Sequence, residues 1–394
     1  MGIARRHLLM SGAALMTIAA NDPPTAAWLA AWDSQGIHRT GTDGDERGAA
    51  WLAAEATALG ARVDVERFSL ARIDPITAFV EVDGEKFIGE MLFDAPNTAP
   101  GGVSALASAD GGEGLIALHA YSPRVVYAPD FVKARRASVA RAAVIVTTGE
   151  APGLALLNAE AFNTPFGPPT VQIASEHQAA LFAAAKRGAA FRVVVQSQRT
   201  PTEAKNIVIT IPGRDRSRPP VVVMTPRSSW YQSTAERGGG LVCWLESLRA
   251  VLAAAPVCDV IFTANSGHEL GHIGLDAFMA KRPGWEKSAV WVHYGANIGA
   301  AGGKLSVMSG HDDMAKAMAT ALTNAGQTAA QVTTDQMPFG ESRDIHRAGG
   351  RYVTLVGGNK LFHLPQDRYP GAVDIGAITR IAAAAAQTVL GLTR

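Results

Sequence analysis

The sequence predicts an α/β fold in which a mostly parallel, mixed sheet is covered by helices on both faces. From Asn206 onward, short continuous apolar runs alternate with stretches of helical periodicity, which is typical of parallel strands buried on both sides. The predicted strands here are residues 207–211, 221–224, 260–264, 289–294 and 352–356, and the predicted helices are residues 238–254, 273–280, 315–325 and 377–390. The last helix is rich in alanine, the best helix former, and we expect it to pack on the sheet.

The N-terminal part adds two predicted helices and a strand, and the segment that follows has a different residue pattern. The helices are residues 26–37 and 45–59, the second stopped by Gly60, and residues 63–68 alternate as a strand. From Thr77 to Arg199, short strand-like runs are separated by Gly, Pro and Asp turns. The runs are residues 78–82, 115–120, 142–147, 170–173 and 191–196, with helices at 131–140 and 176–187. We therefore predict an inserted α+β domain, 77–199, within a main domain of residues 21–76 and 200–394.

The first twenty residues have the features of an export signal. Arg5 and Arg6 precede an apolar run, residues 8–20, that ends in small residues, which is similar to a twin-arginine signal. The run is shorter than the roughly 20 apolar residues that a membrane span needs. We expect an exported protein, periplasmic or at the cell surface, with no membrane span in the mature chain.

Composition narrows the kinds of partner. The 36 Lys and Arg residues balance 35 Asp and Glu residues, so no dedicated nucleic-acid surface is expected. Cys243 and Cys258 fit neither a disulfide framework nor a cysteine-based metal site. Most of a predicted helix separates them, so we expect two buried thiols.

Polar residues follow the predicted strands of the main domain, where a parallel sheet places its ligand site. The residues that converge there are Arg227, Ser228, Trp230, Glu236, Arg237, His268, Glu269, His272, His293, Tyr294, His363 and Asp367. The neighbouring triplet Gly238-Gly239-Gly240 lacks the Lys-Ser/Thr of a phosphate loop and predicts a close-packed helix start. Glu236 and Arg237 could also form a surface pair of little energetic value.

His268-Glu269-x-x-His272 spells a known zinc-binding pattern, in which two histidines one helical turn apart bind the metal and the glutamate is the base. Gly267 and Gly271 bracket the motif directly after a strand. A long zinc-binding helix is therefore not expected here.

The order of these segments resembles the di-zinc exopeptidase family that includes bacterial aminopeptidases, glutamate carboxypeptidase and glutaminyl cyclases. The resemblance rests on the strand-end residues, on Lys205-Asn206-Ile207 at the start of the catalytic segment, and on residues 114–118 and 168–173, which are similar to a protease-associated domain. It implies an aminopeptidase-like fold with an inserted protease-associated domain.

The metal ligands of that family are largely replaced in this sequence. The family binds two zinc ions through a His-x-Asp pair, a bridging Asp, a Glu-Glu pair whose first member is the general base, another Asp and a final His. These positions fall on Pro226 and Ser228, Arg237, His268 and Glu269, a residue near Gly295, and His363. Glu269 and His363 alone match, so we predict that the ordinary two-zinc site is absent.

Two replacements remain open. In the first, His268, His272 and either His293 or His363 hold a single zinc ion, with Glu269 as ligand or base. In the second, no metal binds. Arg237 then occupies the vacated space and pairs with Glu269, leaving a positive pocket for a carboxylate or an oxyanion, while His268 transfers protons.

The resulting expectation is an exported peptidase-like hydrolase that cleaves a peptide or related small amide in a remodelled site. The alternative is a non-catalytic binding protein that keeps the fold and pocket. Catalytic candidates are His268, Glu269 and Arg237, and candidate metal ligands are Glu269, His272, His293 and His363. Substrate-binding candidates are Arg227, Ser228, Trp230, Tyr294 and Asp367.

Overall fold

The computed structural model of the protein describes residues 24–394, so the predicted export signal, 1–20, lies outside the described residues. The predicted α/β class is confirmed: strands and helices alternate around one extended mixed sheet. The strands are β1 Val63–Val82, β2 Glu85–Ile88, β3 Glu90–Met91, β4 Val103–Ser108, β5 Ile116–Tyr121, β6 Ala142–Thr147, β7 Thr170–Ile173, β8 Ala190–Ile211, β9 Val221–Pro226, β10 Val260–Asn265, β11 Val290–Tyr294, β12 Leu305–Ser309, β13 Gln331–Thr333 and β14 Arg351–Gly357. The α-helices are α1 Thr25–Ser34, α2 Asp43–Ala58, α3 Pro129–Ala137, α4 Gln178–Lys186, α5 Gly239–Ala253, α6 Ile273–Ala280, α7 Trp285–Ser288, α8 Asp312–Asn324, α9 Ser342–Arg347 and α10 Ile375–Leu392.

Four parallel strands form the centre of the sheet, in the order β14, β11, β9, β10. Antiparallel strands flank them, β12 beside β14 and β8 beside β10. The side chains of β9 and β10 are buried along their whole length, as expected for strands with helices on both faces. The carboxyl ends of all four parallel strands therefore lie at one edge.

Two strands are much longer than the sequence indicates. The predicted strands 63–68 and 78–82 are parts of β1, and 191–196 and 207–211 are parts of β8, because antiparallel pairing continues through Pro75 with a register shift before Thr77. This ribbon crosses both predicted limits of the inserted domain. On its far side β8 pairs with β4, and the sheet continues through β5, β6, β7 and β3. The domain limits 77 and 199 remain a prediction.

Helices cover the central strands, and the last of them, α10, is the longest helix of the described residues. Within the described residues, α10 alone is long and apolar enough to cross a membrane by length and composition. Its buried side chains, among them Ile378, Ala382 and Val389, pack against α5 and α8 in the main core. Core packing accounts for its apolar character.

The glycine triplet is a close-packed helix start, as predicted. A Cβ on Gly239 would lie 1.8 Å from the carbonyl oxygen of Ile298, and one on Gly240 would lie 2.8 Å from Thr225 Oγ1. Cys243 and Cys258 are free, buried thiols, also as predicted.

Between residues 295 and 351 the sequence predicts the helix 315–325, observed as α8, but not β12, β13 and α9. These elements are short, and the six residues of α9 have too few apolar positions to show helical periodicity. The omission matters because the residues just before and within α9 reach the strand-end edge.

Replacing Gly239 by Ala should destabilise the fold, because the Ile298 carbonyl would have to move away from the new Cβ. We expect the free energy of unfolding to fall by about 1–3 kcal/mol, as for other overpacked cores, in urea titrations. Gly391→Ala is the matched control, since no atom lies within 4 Å of a Cβ there and helix propensity favours Ala by about 1 kcal/mol. Equal effects of the two variants would contradict the close packing.

Candidate active site

The turn after β10 carries the zinc-like motif, but it is not one helix. His268–Leu270 form a single 3-10 turn between Gly267 and Gly271, which both have positive φ, and His272 lies at φ 63° before α6. The imidazoles of His268 and His272 nevertheless stack, with ring centroids 5.2 Å apart. The turn, rather than a helical repeat, brings them together.

Glu269 is fully buried and holds this turn in place. Its Oε1 accepts hydrogen bonds from the backbone N and from Oγ1 of Thr40, each at 2.7 Å, and its Oε2 accepts one from Ser228 Oγ at 2.6 Å. Burial raises the pKa of Glu269 despite these hydrogen bonds. Both carboxylate oxygens are thus committed to neighbouring segments.

Arg237 is also fully buried, and it pairs with the residue beside it. Its Nη2 lies 2.8 Å from Glu236 Oε1, and its Nε donates to the Ser228 carbonyl at 2.7 Å. The expectation of a surface Glu236–Arg237 pair is therefore wrong, because a buried π-helical turn, Thr234–Gly238, turns both side chains inward. The expected pairing of Arg237 with Glu269 is also wrong, since Glu236 takes that place.

His363 completes what we call the arginine cluster: Glu236, Arg237 and His363. His363 Nε2 lies 3.2 Å from Glu236 Oε1, while Nδ1 contacts the Leu156 carbonyl. Burial acts to raise the pKa of Glu236, but Arg237 and His363 outweigh it and lower that pKa to about 2. Glu236 is therefore ionised and offsets the guanidinium charge.

Asp367 fixes the start of the π-helical turn. Its two carboxylate oxygens accept from the backbone N of Ala235 at 2.6 Å and of Glu236 at 3.0 Å, and Asn359 donates to it as well. Burial raises the pKa of Asp367 to about 7, and the nearby Glu236 carboxylate adds to the effect.

A second group, the imidazole cluster, consists of His268, His272, His293 and Glu341. Glu341 Oε1 lies 2.8 Å from His268 Nδ1, and Glu341 Oε2 lies 3.2 Å from His293 Nε2. All four side chains are buried. The sequence analysis missed Glu341; the available signal was the acidic pair Glu341 and Asp344, three residues apart and ahead of the strand β14.

The charges of the imidazole cluster depend on its burial. Burial acts to raise the pKa of Glu341, but the imidazoles of His268 and His272 and the hydrogen bonds of His268 and His293 hold it well below its usual value. Burial, with Arg237 nearby, lowers the pKa of His268 to about 4. His268 Nδ1 accordingly donates its hydrogen to an ionised Glu341.

His272 is held by a different carboxylate. Its Nδ1 lies 2.6 Å from Asp344 Oδ2 on α9. Burial acts to lower the pKa of His272, but Glu341 and Asp344 together raise it. Thus each end of the segment 341–344 orients one histidine of the motif.

A cavity of about 40 Å³ adjoins the imidazole cluster. His268 and Asn297 line it together with Arg124, Tyr127, Phe339 and Phe362. This volume has room for about three or four water molecules, at about 10–15 Å³ each. Arg124 and Tyr127 come from the region predicted as the inserted domain.

Several predicted substrate-binding residues have their polar groups committed to protein partners. Arg227 Nη1 lies 2.8 Å from Asp45 Oδ1, Trp230 Nε1 donates to Asn158, and the Tyr294 hydroxyl bonds Ser247. Their assignment as substrate contacts remains a prediction.

Backbone strain is concentrated around this site. Five non-glycine residues of the described chain have positive φ, and four of them, Ser233, His272, Asn297 and His363, surround the two clusters. Such conformations cost about 1–3 kcal/mol each and collect at functional sites. They indicate that the site geometry is imposed by the surrounding fold.

The residues present do not fit two zinc ions at the positions that the resemblance implies. At those positions Arg237 carries a permanent cation, Pro226 has no donor side chain, and Glu269 is enclosed by Thr40 and Ser228. A different group could hold one metal ion: single donor atoms of His268, His272 and Glu341 all lie within 4.8 Å of one another. The third ligand of this group is therefore Glu341, whereas the sequence predicts His293 or His363.

The fold is that of an aminopeptidase-like α/β protein. The structure is similar to a zinc aminopeptidase from Bacillus subtilis, with 18% identity, a TM-score of 0.75 and 94% of each chain covered. It is also similar to an aminopeptidase from Aneurinibacillus, with 15% identity, a TM-score of 0.73 and 95% of each chain covered. A third similar structure is a peptidase precursor from Shewanella amazonensis, with 14% identity, a TM-score of 0.72 and 94% of each chain covered. No protein-family model and no curated protein matches the sequence.

Replacing Asp367 by Asn should weaken the pH dependence of stability. The folded protein keeps a proton on Asp367 up to about pH 7, whereas an unfolded Asp releases it near pH 3.9. Stability contributed by this group is therefore lost as the pH rises between those values. In urea titrations at pH 5 and pH 7.5, the fall in the free energy of unfolding should be smaller in Asp367→Asn, by about 1 kcal/mol per pH unit. Equal falls in both proteins would contradict the raised pKa.

Proposed function

We propose that this chain is an exported peptidase-like hydrolase that cleaves a peptide or related amide at a remodelled site centred on His268. The observation that carries the proposal is the placement of His268: its ring walls the cavity, while the buried Glu341 holds its Nδ1 at 2.8 Å. A carboxylate that orients an imidazole in this way is common in hydrolytic sites. The similar solved structures are peptidases, which supports the reaction class.

In the proposed reaction the attacking water is activated at His268. Hydrolysis also needs donors for the negative charge that develops on the amide oxygen. Arg237 is the candidate, because its Nη1 and Nη2 are buried without hydrogen-bond partners in the described part of the chain. Its 2.8 Å contact with Glu236 is an ion pair without hydrogen-bond geometry. Glu269 serves as the support that fixes the turn.

The second candidate function is non-catalytic binding of a peptide or small amide. The observation that favours it is the burial of the site: Arg237 and His268 are 0% and 3% exposed, and the cavity of about 40 Å³ is smaller than a substrate. An enzyme with this site must enlarge the cavity to admit one. A binding protein needs no access to His268.

Replacing His268 by Ala should abolish hydrolysis. We expect kcat/KM for aminoacyl anilides and short peptides to fall by at least about 100-fold, because a positioned acid–base group usually contributes about that much or more. His177→Ala is the control, because His177 lies beside Phe87 in the predicted inserted domain. Turnover that survives in His268→Ala would overturn the assignment of His268. Absence of turnover in the wild type, with retained peptide binding by calorimetry, would establish the binding function instead.

A further inference from the structure

The imidazole cluster contains a set of metal donors, of which the proposed hydrolysis uses His268 and Glu341 and leaves His272 without a role. His268, His272 and Glu341 each offer one donor atom, and these atoms lie within 4.8 Å of one another. The three residues are 3%, 5% and 2% exposed. His268 falls on the general-base position of the family's Glu-Glu pair, and His272 and Glu341 stand at none of the positions that the resemblance implies.

We infer that His268, His272 and Glu341 form a site for one zinc ion, separate from the vacated two-zinc positions. Two histidines and a glutamate are a ligand set found in catalytic zinc sites. With Zn–N and Zn–O distances near 2.0–2.2 Å, tetrahedral ligands lie about 3.3–3.5 Å apart. The donor atoms, now within 4.8 Å of one another, must approach to that distance, and the hydrogen bond between His268 Nδ1 and Glu341 must open for both side chains to bind the ion.

The charge around Glu341 supports a cation at this place. Within residues 24–394, the ion-pair partners of Glu341 are the imidazoles of His268 and His293, and no Lys or Arg is among them. A buried carboxylate is costly unless a cation offsets it. The neighbouring guanidinium of Arg237 is already paired with Glu236. A divalent cation would therefore complete the charge balance of the imidazole cluster.

Two of the three ligands contact a further polar side chain, as ligands in metal sites usually do. Asp344 Oδ2 lies 2.6 Å from His272 Nδ1, which leaves Nε2 of His272 as the donor. His293 Nε2 lies 3.2 Å from Glu341 Oε2 and positions that carboxylate from the far side. Such partners fix the ring and carboxylate orientation and typically change metal affinity by 10–100-fold.

The cavity provides the fourth coordination position. Three protein ligands and an open position that holds water distinguish catalytic zinc sites from structural ones. His268 lines the cavity of about 40 Å³, which can hold that water. The inference rests on the proposed function for this catalytic role alone; the metal site itself follows from the ligand geometry.

The test measures metal binding without reference to activity. Purified protein is stripped with a chelator, dialysed against Zn²⁺ and analysed by mass spectrometry, and Co²⁺ is titrated with detection of its visible absorption. We expect one equivalent of either metal and an absorption typical of four-coordinate Co²⁺. His272→Ala and Glu341→Gln should bind at least about 100-fold more weakly, and Asp344→Asn about 10–100-fold more weakly.

His363→Ala is the matched control, because His363 is the family's retained ligand position but lies outside the three-residue group. It should bind zinc as the wild type does. Circular dichroism and thermal unfolding check that each variant folds. If a variant at a buried ligand does not fold, Asp344→Asn still tests the site, because the Asp344 side chain is partly exposed. No stoichiometric metal in the wild type, or loss of metal in His363→Ala with retention in Glu341→Gln, would overturn the site. Metal binding without hydrolysis would overturn the proposed function alone, and His268-dependent hydrolysis without metal would overturn the site alone.

Discussion

The buried ion pair between Arg237 and Glu236 is the interaction on which the rest of the site depends. A guanidinium cannot be neutralised by losing its proton, so a fully buried Arg237 requires a compensating anion. Glu236 provides it at 2.8 Å, and His363 shares that carboxylate at 3.2 Å. In the resemblance, Arg237 falls on the carboxylate that bridges two zinc ions. On that resemblance, a fixed cation stands where the family has a metal-binding anion, and Glu236 and His363 lie beside it.

Ser228 connects this ion pair to the rest of the site. Its carbonyl accepts from Arg237 Nε, and its hydroxyl donates to Glu269 and accepts from the backbone N of Gly267 and His268. The position of the His268 ring thus depends on the arginine cluster through two hydrogen bonds. Ser228 therefore connects the arginine cluster to the imidazole cluster.

Much of this architecture is readable from the sequence, because parallel strands that are buried on both faces give continuous apolar runs. The strands β9, β10, β11 and β14 and the convergence of residues at their ends follow from that pattern. The length of β1 and β8 does not, since Pro75 and the polar residues beside it interrupt any local strand signal while long-range pairing continues through them.

The sequence predicts which residues lie at the site better than it predicts which of them contact each other. The resemblance places Arg237 and Glu269 on ligand positions of the di-zinc family. Which groups they contact depends on the π-helical turn, which brings Glu236 to Arg237, and on Thr40, 229 residues away from Glu269. Glu341 was missed because the six-residue helix α9 has no periodic signal. Such contacts form between segments that are distant in the chain, and local pattern cannot report them.

A double-mutant cycle between Arg237 and Glu236 tests the central claim most directly. The free energies of unfolding of Arg237→Met, Glu236→Gln and the double variant would be measured by urea titration. Removing one partner of a buried pair costs about 3–5 kcal/mol because a lone charge remains, whereas the double variant leaves none. The account predicts that the double variant is at least as stable as either single variant. Additive losses in the double variant would show that the two side chains do not compensate each other, and would contradict the account.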